Sequence, residues 1–379
     1  MKKINIAFCL RDMQLGGVES VLIRTLDELQ KQKNINISII TYANIKEPVY
    51  KKYFEEHKNI KTYSLYPCSW LGTKLPHFFL FKLFMHLIRD VYRNLKRFIF
   101  CLKSFKHIDV FIDYHDFGFS KELKYIKQSK KIAWFHSSIN VFIKRKFYKN
   151  LKDYDNCVVL TDDCKNDLYE LYPEYKNKII RIYNPIDVKE IQEKSKDKWN
   201  KIKDKYFCSV SRLSGDKDIK TLLDGFDLFY KNNKNPNVKL IIVGDGNKKT
   251  EYEKYANNLK SYKQIMFVGM QKNPFTYMKN ADANILSSFG EGLPTVLIES
   301  AIVGTFNIAS DCKYGPREIL LDGRGGFLFE PGNAEQLSKC MEDVYNKKVD
   351  VEKMVEESTK ALKRFDAKNI VKEIIFLIS

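Results

Sequence analysis

Two carboxylates stand eight residues apart in a stretch whose composition suits contact with a polar ligand. Residues 288–300 read SFGEGLPTVLIES, with Glu291 between two glycines and Glu299 further along an apolar run. The glycines let the backbone approach a ligand closely, and Pro294 suits the first position of a helix. Free N–H groups at the start of such a helix favour a phosphate. Carboxylates that bind hydroxyls beside a phosphate indicate a nucleotide-sugar site.

The same two carboxylates have a simpler interpretation, in which Glu291 caps the helix and Glu299 is solvated. A second loop favours ligand binding, because residues 211–217, SRLSGDK, carry Arg212 and Lys217 directly after a predicted strand. Arginine offers a bidentate fork to phosphate and lysine a point charge. Together they suit a leaving diphosphate. Two surface cations in a basic chain are the alternative interpretation of this pair.

A glycine turn follows the first predicted strand. Residues 13–19 read MQLGGVE, and Gly16 and Gly17 let backbone N–H groups face a cleft at the start of the next helix. The turn is neither a G-x-G-x-x-G fingerprint nor a P-loop. A pair of adjacent glycines by itself indicates only a turn.

Short apolar runs alternate with helical patterns along the chain, which predicts parallel, doubly wound sheets. In the first half strands are expected at 4–10, 35–41, 108–113, 131–135, 157–160 and 179–183. In the second half they are expected at 206–211, 238–243, 265–268, 283–286 and 306–309. The sequence NPID at 184–187 ends the first half. The chain is therefore expected to contain two Rossmann-like domains in tandem.

The bulk composition describes a cytoplasmic protein with an anionic ligand or surface. The chain has 379 residues, 44% of them hydrophobic, and a formal net charge of +18. Such a charge suits membrane lipid, nucleic acid or a phosphorylated substrate. The eight cysteines lack metal-knuckle spacing and are interpreted as core residues in a reducing compartment. Neither a signal peptide nor a membrane-spanning segment is expected.

Residues 75–107 interrupt the strand–helix rhythm with a long amphipathic pattern. Apolar side chains fall on one helical face at Phe84, Leu87, Ile88, Val91, Leu95, Phe98, Ile99 and Leu102. Seven cations accompany one acid, Asp90. This pattern is typical of a helix on an anionic membrane. A crossover helix that covers the first sheet, with solvated lysines behind it, is the equally open alternative.

Taken together, these motifs resemble a known family. GEGLPTVLIE resembles the E-x7-E signature of retaining glycosyltransferases with the GT-B fold, family 4, and SRLSGDK resembles their R-L-x-x-x-K segment. GGVE at 16–19, YNPID at 183–187, VGDG at 243–246 and the segment 311–319 are similar to further family segments. The similarity covers nearly the whole chain and is loose between residues 42 and 130.

The resemblance implies an α/β, GT-B architecture of two Rossmann-like doubly wound domains that face each other across a cleft. Residues 1–185 would form the acceptor-binding domain and 186–365 the donor-binding domain. Residues 366–379 would form a helix that crosses back to the first domain.

The resemblance also implies roles for individual residues. Glu291 would contact the donor sugar, Glu299 the ribose hydroxyls, and Arg212 and Lys217 the departing UDP. His136, in WFHS at 134–137, matches a histidine that such enzymes place near the sugar, although a lone histidine is more often structural. The further donor-binding residues would be Gly16, Gly17, Gly244, Met270, Gly290, Gly292, Leu293, Pro294 and Thr295. Two departures from the family pattern are Asp218, in place of a glycine, and Leu293, in place of an aromatic residue.

The expected reaction is metal-independent transfer of a hexose or N-acetylhexosamine from a UDP-sugar, with retention of configuration. The expected acceptor is a lipid-linked or other glycan in the synthesis of capsule, cell wall or lipopolysaccharide. No cofactor is expected beyond the nucleotide-sugar co-substrate. Asp-x-Asp spacings at 153–155 and 216–218 are attributed to chance and helix capping. The expected location is the cytoplasm, with attachment to the inner membrane face if residues 75–107 bind lipid.

Three other classes compete with this interpretation. Another GT-B enzyme, an epimerase or an inverting transferase, would lack the paired glutamates together with R-L-x-x-x-K. A basic nucleic-acid- or lipid-binding protein would explain the charge, but nucleic-acid recognition would need a motif that the chain lacks. An inactive scaffold on the same fold would not need Glu291, Glu299, Arg212 and Lys217. The sequence names neither the sugar, the acceptor nor the oligomeric state.

Overall fold

The computed structural model describes residues 3–14, 16–65, 79–126, 129–198 and 202–379, with the backbone alone at 79–90 and 93. The chain forms two compact units. Unit 1 consists of Met1–Leu160, Lys165–Ile182 and Val371–Ser379, and unit 2 consists of Thr161–Cys164 and Tyr183–Ile370. The expected roles of the two halves in acceptor and donor binding stay predictions.

Unit 1 is built on a seven-stranded parallel sheet with the order β3-β2-β1-β4-β5-β6-β7. Its strands are β1 Ile4–Leu10, β2 Ile35–Thr41, β3 Lys61–Ser64, β4 Val110–Asp113, β5 Lys130–Trp134, β6 Asn156–Val159 and β7 Ile179–Arg181. Helices in this part of the chain are α1 Gly17–Leu29, α2 Pro48–Glu56, α3 Phe79–Ser104, α4 Ile139–Lys144 and α5 Asp162–Leu171. The order of strands reverses between β1 and β4, which is the topological switch point.

Unit 2 is built on a six-stranded parallel sheet with the order β10-β9-β8-β11-β12-β13. Its strands are β8 Lys205–Val210, β9 Val238–Val243, β10 Ile265–Gly269, β11 Ala283–Leu286, β12 Asn307–Ser310 and β13 Phe327–Phe329. The first helices here are α6 Val188–Lys194, α7 Ile219–Asn232, α8 Lys249–Ala256, α9 Phe275–Lys279 and α10 Thr295–Ile302. They are followed by α11 Pro316–Ile319, α12 Ala334–Tyr345, α13 Val351–Lys360 and α14 Ala367–Ile378.

Both sheets have helices on their two faces, so the central strands are continuous apolar runs rather than alternating ones. In β9, Leu240, Ile241, Ile242 and Val243 are all buried. The core of unit 2 packs β8, β9 and β11 against α7 and α12, with Phe226 and Leu337 among its members. Of the seven cysteines that the structure describes, six are buried and Cys340 is partly exposed. They serve as small apolar side chains, as expected.

The predicted doubly wound α/β class is confirmed for each unit. Strands β1, β2, β9 and β11 have the bounds expected from the sequence, and the other expected strands differ by one or two residues. Two edge strands, β3 and β13, were not expected. Pro294, expected at the first helical position, is instead the N-cap residue of α10. No helix in the described part of the chain is long and apolar enough to span a membrane.

Candidate active site

Three loops of unit 2 leave the carboxyl edge of its sheet near the topological switch point. Strands β8 and β11 pair at that point, and β12 pairs with β11 on its other side. The loops are residues 211–218 after β8, 287–294 after β11 and 311–315 after β12. Open α/β sheets bind their ligands at this edge. The fold therefore brings three of the segments that were singled out from the sequence to one place.

The carboxylate of Glu291 joins the loops after β8 and β11. Its Oε1 accepts a hydrogen bond from Lys217 Nζ at 2.6 Å and another from Ser288 Oγ at 2.6 Å. The Lys217 and Glu291 side chains are 18% and 10% exposed, so this ion pair is largely withdrawn from water. Because the carboxylate is engaged in this way, and Pro294 is the N-cap of α10, the helix-cap interpretation of Glu291 is wrong.

Buried serines fix the backbone around this ion pair. Ser287 Oγ donates to the Lys217 carbonyl at 3.0 Å, and Ser310 Oγ donates to the Ser288 carbonyl at 2.6 Å. All three serines are buried. None of them was predicted from the sequence as a site residue. The available signal was a short polar side chain at the end of an apolar strand, which is also common at strand ends with no ligand.

The loop after β9 packs against the loop that carries Arg212. Gly244 has φ of 141°, and a Cβ on it would lie 1.9 Å from the Ser211 carbonyl oxygen. A Cβ on Gly246 would lie 2.3 Å from the Leu213 carbonyl oxygen. Only glycine permits this approach of two backbones. Gly244 therefore packs closely against the loop that carries Arg212, and its predicted role in donor binding stays a prediction.

The other predicted donor residues of unit 2 lie around the same edge. Arg212 is exposed on the loop after β8, and Met270 follows β10 with 73% of its surface exposed. Glu299 is partly buried in α10, which begins at Thr295. Leu293 and Pro294 are buried against the loop after β12, where a Cβ on Gly315 would lie 2.5 Å from Pro294 Cδ. Gly290 and Gly292 flank Glu291, as their sequence positions require.

Asp218, the first departure from the family pattern, adopts a left-handed conformation with φ of 44° and ψ of 52°. Glycine takes this conformation without strain, and aspartate is one of the few other residues that tolerate it. The Asp218 carboxylate also accepts a hydrogen bond from the Thr221 amide at 3.3 Å and so caps α7. The substitution thus keeps the backbone geometry of a glycine and adds a cap.

The glycine turn of unit 1 opens α1. Gly16 is the N-cap residue in an extended conformation, and a Cβ on it would lie 2.7 Å from Glu19 Oε2. Glu19 is buried, and this burial raises the pKa of its carboxyl above the ordinary value. Gly17 is the first residue of the helix and has open space around it. The turn therefore packs a carboxyl group under its backbone.

His136 follows β5 at the carboxyl edge of the sheet in unit 1. Its backbone N–H donates to Asp116 Oδ1 at 2.7 Å, and its ring packs edge-on against Tyr114 with centroids 4.7 Å apart. Burial lowers the pKa of the imidazole to about 4. His136 is therefore uncharged at neutral pH. It can accept or donate a hydrogen bond there but does not carry a positive charge.

The structure thus brings Lys217 and Glu291 into direct contact and places Arg212 on the Lys217 loop. Gly16, Gly17 and His136 belong to unit 1, and their proposed relation to the donor stays a prediction. Across the described ranges, no three His, Cys, Asp or Glu side chains are grouped to hold a metal ion. One carboxylate of each Asp-x-Asp spacing has a structural partner, since Asp155 accepts from the Lys131 amide at 2.7 Å and Asp218 caps α7.

Comparison with known proteins points to glycosyltransferases. The family model described as Glycosyl transferases group 1 matches residues 191–361, which lie in unit 2. An uncharacterized glycosyltransferase of Methanocaldococcus jannaschii is 27% identical over 77% of this chain and 83% of its own.

Two further proteins are similar over nearly the whole chain. The first is a Campylobacter jejuni α-1,4-N-acetyl-D-galactosaminyltransferase, named for a diphospho-undecaprenol-linked glycan substrate. It is 24% identical over 99% of this chain and 98% of its own. The second is the crystal structure of Anabaena HepE with UDP, which superimposes with a TM-score of 0.76 and 16% identity over 99% of both chains. Residues 191–361 therefore match the glycosyl transferases group 1 family, and the chain has the GT-B fold of its structural neighbours.

Proposed function

We propose that this glycosyltransferase moves a hexose or N-acetylhexosamine from a UDP-sugar to a lipid-linked or other glycan acceptor, with retention of anomeric configuration. The proposed setting is the assembly of capsule, cell wall or lipopolysaccharide. The Campylobacter relative, named for an undecaprenol-linked substrate, supports the acceptor class. The bound UDP of the structural neighbour HepE supports the nucleotide.

The contact between Lys217 and Glu291 carries the proposal. It joins the R-L-x-x-x-K loop to the E-x7-E loop at 2.6 Å, at the edge where α/β sheets bind ligands. A cation for phosphate and a carboxylate for the sugar must lie within a few ångströms of each other, because the bond that breaks joins those two parts of the donor. A merely structural ion pair would not need to lie at this edge.

The proposed mechanism follows from the charges that develop as the anomeric bond breaks. Negative charge grows on the diphosphate, and Arg212, Lys217 and the amino terminus of α10 stabilise it. Positive charge grows on the sugar, and the Glu291 carboxylate lies on the loop that would face it. Attack by the acceptor hydroxyl on the same face would retain the configuration. A covalent adduct on Glu291 is the alternative route to the same product.

The ion pair between Lys217 and Glu291 implies an order of steps in donor binding. Lys217 donates to Glu291 in this structure, so a diphosphate must draw the ammonium toward itself before the carboxylate can serve the sugar. Ser288, which donates to the same oxygen, remains to orient the carboxylate. We propose that donor binding thereby separates Lys217 from Glu291 and leaves the Glu291 carboxylate available to the sugar.

The remaining donor contacts are assigned by resemblance. Glu299 would bind the ribose hydroxyls, residues near Met270 the base, and the backbone between Gly290 and Thr295 the sugar and phosphate. No metal is required in this mechanism, since Arg212 and Lys217 supply the positive charge. We also propose that the protein works at the inner face of the cell membrane, where a lipid-linked acceptor would be carried.

Ligand-induced stabilisation tests the donor. A ligand that binds only the folded state raises the free energy of unfolding by about 2.7 kcal/mol at a hundredfold excess over Kd. Melting is measured with a panel of nucleotide diphosphates and UDP-sugars, first in EDTA and then with Mg²⁺ or Mn²⁺. We expect UDP and one UDP-sugar to raise the melting temperature in EDTA. No rise with any nucleotide would overturn the donor assignment, and a rise only with metal would overturn metal independence.

Turnover tests the role of Glu291. The variant Glu291→Gln is expected to keep the UDP-induced rise in melting temperature and to lose about 100-fold or more in kcat, the loss typical when one stabilising group is removed. The matched control is Glu335→Gln, a change at an exposed glutamate on α12. Unchanged turnover in Glu291→Gln would remove its role. NMR of the product reports the anomer, and an inverted product would contradict retention.

A further inference from the structure

A cavity of about 930 Å³ lies in unit 1, away from the predicted donor residues. It opens at the amino edge of the sheet, where β5, β6 and β7 begin. Its cationic lining residues are Arg97, Lys121, Lys124, Lys131, Lys152 and Lys178. Its acidic lining residues are Asp153 and Asp155. Six cations against two acids make this cavity strongly positive.

Two of the cations already have structural partners. Lys178 Nζ donates to the Tyr154 carbonyl at 2.7 Å and to two neighbouring carbonyls. Arg97 pairs with the buried Glu122 at 2.7 Å. Lys121, Lys124 and Lys152 are exposed at the rim. The positive charge available to a ligand therefore comes mainly from these exposed lysines.

The cavity is separate from the predicted reactive side of unit 1. Lys131 lies at the amino end of β5, and His136 follows its carboxyl end. A five-residue strand spans roughly 16 Å. Neither the glycine turn nor His136 lines the cavity. Its charge is therefore not explained by donor or sugar binding.

The second half of α3 presents an exposed apolar stripe. Val91, Leu95, Phe98 and Leu102 recur at intervals of three and four residues, so they share one face of the helix. These four side chains are between 43% and 61% exposed. A neighbouring side of the helix, about a quarter turn away, packs inward through Cys101, which is 1% exposed. The stripe forms part of the amphipathic pattern at 75–107, of which residues 75–78 lie outside the described residues.

The stripe and the cavity adjoin one another. Asn94, next to Leu95, lines the cavity. Phe98 of the stripe packs edge-on against Tyr125, with ring centroids 5.7 Å apart. Lys124 lies over the same Tyr125 ring at 4.8 Å and lines the cavity. Apolar and cationic surfaces therefore meet along one continuous side of unit 1.

We propose that this side of unit 1 binds a bilayer of anionic phospholipid, with the apolar stripe among the acyl chains and a lipid phosphate in the basic cavity. Amphipathic helices bind bilayers through apolar burial combined with attraction to anionic lipid. A second copy of this chain, with its net charge of +18, is a less favourable partner for this surface, because the same cations of two copies would repel one another. This proposal rests on the proposed function. Binding to the bilayer would hold the enzyme beside its lipid-linked acceptor.

Vesicle co-sedimentation without any donor tests this inference. Vesicles of phosphatidylcholine alone are compared with vesicles that contain phosphatidylglycerol. The variants are Leu95→Glu in the stripe and the pair Lys124→Gln/Lys152→Gln in the cavity. The control pair is Lys254→Gln/Lys353→Gln, which removes the same charge from exposed helix positions of unit 2.

The full chain is expected to bind vesicles with phosphatidylglycerol and to prefer them to phosphatidylcholine. Leu95→Glu is expected to lower the partition coefficient by about tenfold or more, because it places a charge among acyl chains. The cavity pair is expected to lower it roughly 25-fold on anionic vesicles, at about fivefold for each lysine near the surface. The control pair is expected to stay within about twofold, because lysines away from the bilayer are screened.

Three outcomes would overturn the inference. The first is equal loss in the cavity and control pairs, which would mean diffuse attraction by net charge. The second is no binding to either vesicle. The third is a dimer in light scattering that Leu95→Glu dissociates, which would mean that a second copy covers the stripe. Nucleotide-induced melting shifts are measured on the same samples, so that loss of vesicle binding with intact UDP binding leaves the transferase proposal standing.

Discussion

At the scale of single residues, Lys217 and Glu291 neutralise one another although they are assigned to different parts of the donor. Each would be costly to leave alone at 10% to 18% exposure, because a poorly solvated charge without a partner is destabilising. Their pairing at 2.6 Å offsets this cost for both side chains. Substitution of either residue therefore removes its proposed role toward the donor and also leaves the other charge of the pair without its partner.

The buried imidazole of His136 makes the free energy of unfolding depend on pH. Its pKa is lowered by burial from 6.5 to about 4, so between these values the folded protein binds fewer protons than the unfolded chain. The contribution of the neutral imidazole is complete above pH 6.5 and is lost as the pH falls toward 4. The stability advantage of wild type over His136→Gln should therefore shrink by up to about 3 kcal/mol from pH 7 to pH 4. Urea unfolding at intervals of one pH unit measures it.

His107→Gln, at an exposed histidine, is the matched control for this prediction. Asp113 acts in the opposite direction, because burial raises the pKa of its carboxyl to about 7. That term is present in every variant and cancels in the comparison. A difference between wild type and His136→Gln that does not vary with pH would contradict the assigned ionisation.

At the scale of elements, the loops after β8 and β9 pack so closely that one cannot move without the other. Gly244→Ala would place a methyl group 1.9 Å from the Ser211 carbonyl oxygen, so the loop that carries Arg212 and Lys217 must move. We expect UDP affinity to fall about tenfold or more, because a shift of this loop would remove the two charge-assisted phosphate contacts proposed for Arg212 and Lys217. Titration calorimetry measures the affinity. Gly215→Ala, in the same loop with no atom within 4 Å of the new Cβ, is the control. Equal losses in both variants would refute the coupling.

The left-handed residue at the start of α7 gives a graded prediction. Asp218→Ala loses the cap to Thr221 and places a Cβ in a strained conformation, so we expect a loss of about 2 kcal/mol in the free energy of unfolding. Asp218→Gly loses the cap but relieves the strain, and we expect a change of less than about 0.5 kcal/mol. Denaturant unfolding of both variants measures the difference. Equal destabilisation by alanine and glycine would show that φ of 44° does not matter here.

The sequence allowed the central strands to be predicted and singled out the candidate site residues, because both carry strong local signals. Buried parallel strands are continuous apolar runs, and Glu291, Arg212 and Lys217 lie in the loops that follow such runs. Edge strands carry weaker signals. The segment KTYS of β3 is short and mostly polar, and β13 is three residues long. Contacts between segments distant in the sequence, such as Ser287 with Lys217 and Gly244 with Ser211, depend on strand order and could not be read from the spacing.

At the scale of the whole molecule, the proposed binding of the donor by unit 2 predicts which segments a nucleotide stabilises. Ligand binding slows amide hydrogen exchange most where it stabilises local structure. With UDP, we expect the largest slowing at residues 211–218, 287–295 and 311–315 of unit 2, and a much smaller effect on strands β1 to β7. Exchange measured by mass spectrometry tests this. Slowing confined to unit 1 would overturn the assignment of unit 2 as the donor-binding half.

The path of the chain also decides how such enzymes can be recombined. Val371–Ser379 belongs to unit 1, where Glu373 pairs with Arg181 at 3.5 Å and Leu377 accepts a hydrogen bond from Lys130. Ile374 and Ile378 are buried there as well. A chimera with another donor half therefore needs two junctions, near 182/183 and near 370/371, so that the native tail is retained. A single junction would graft a foreign tail onto β5 and β7, and the hybrid would be expected to fail in folding before its sugar preference could be assayed.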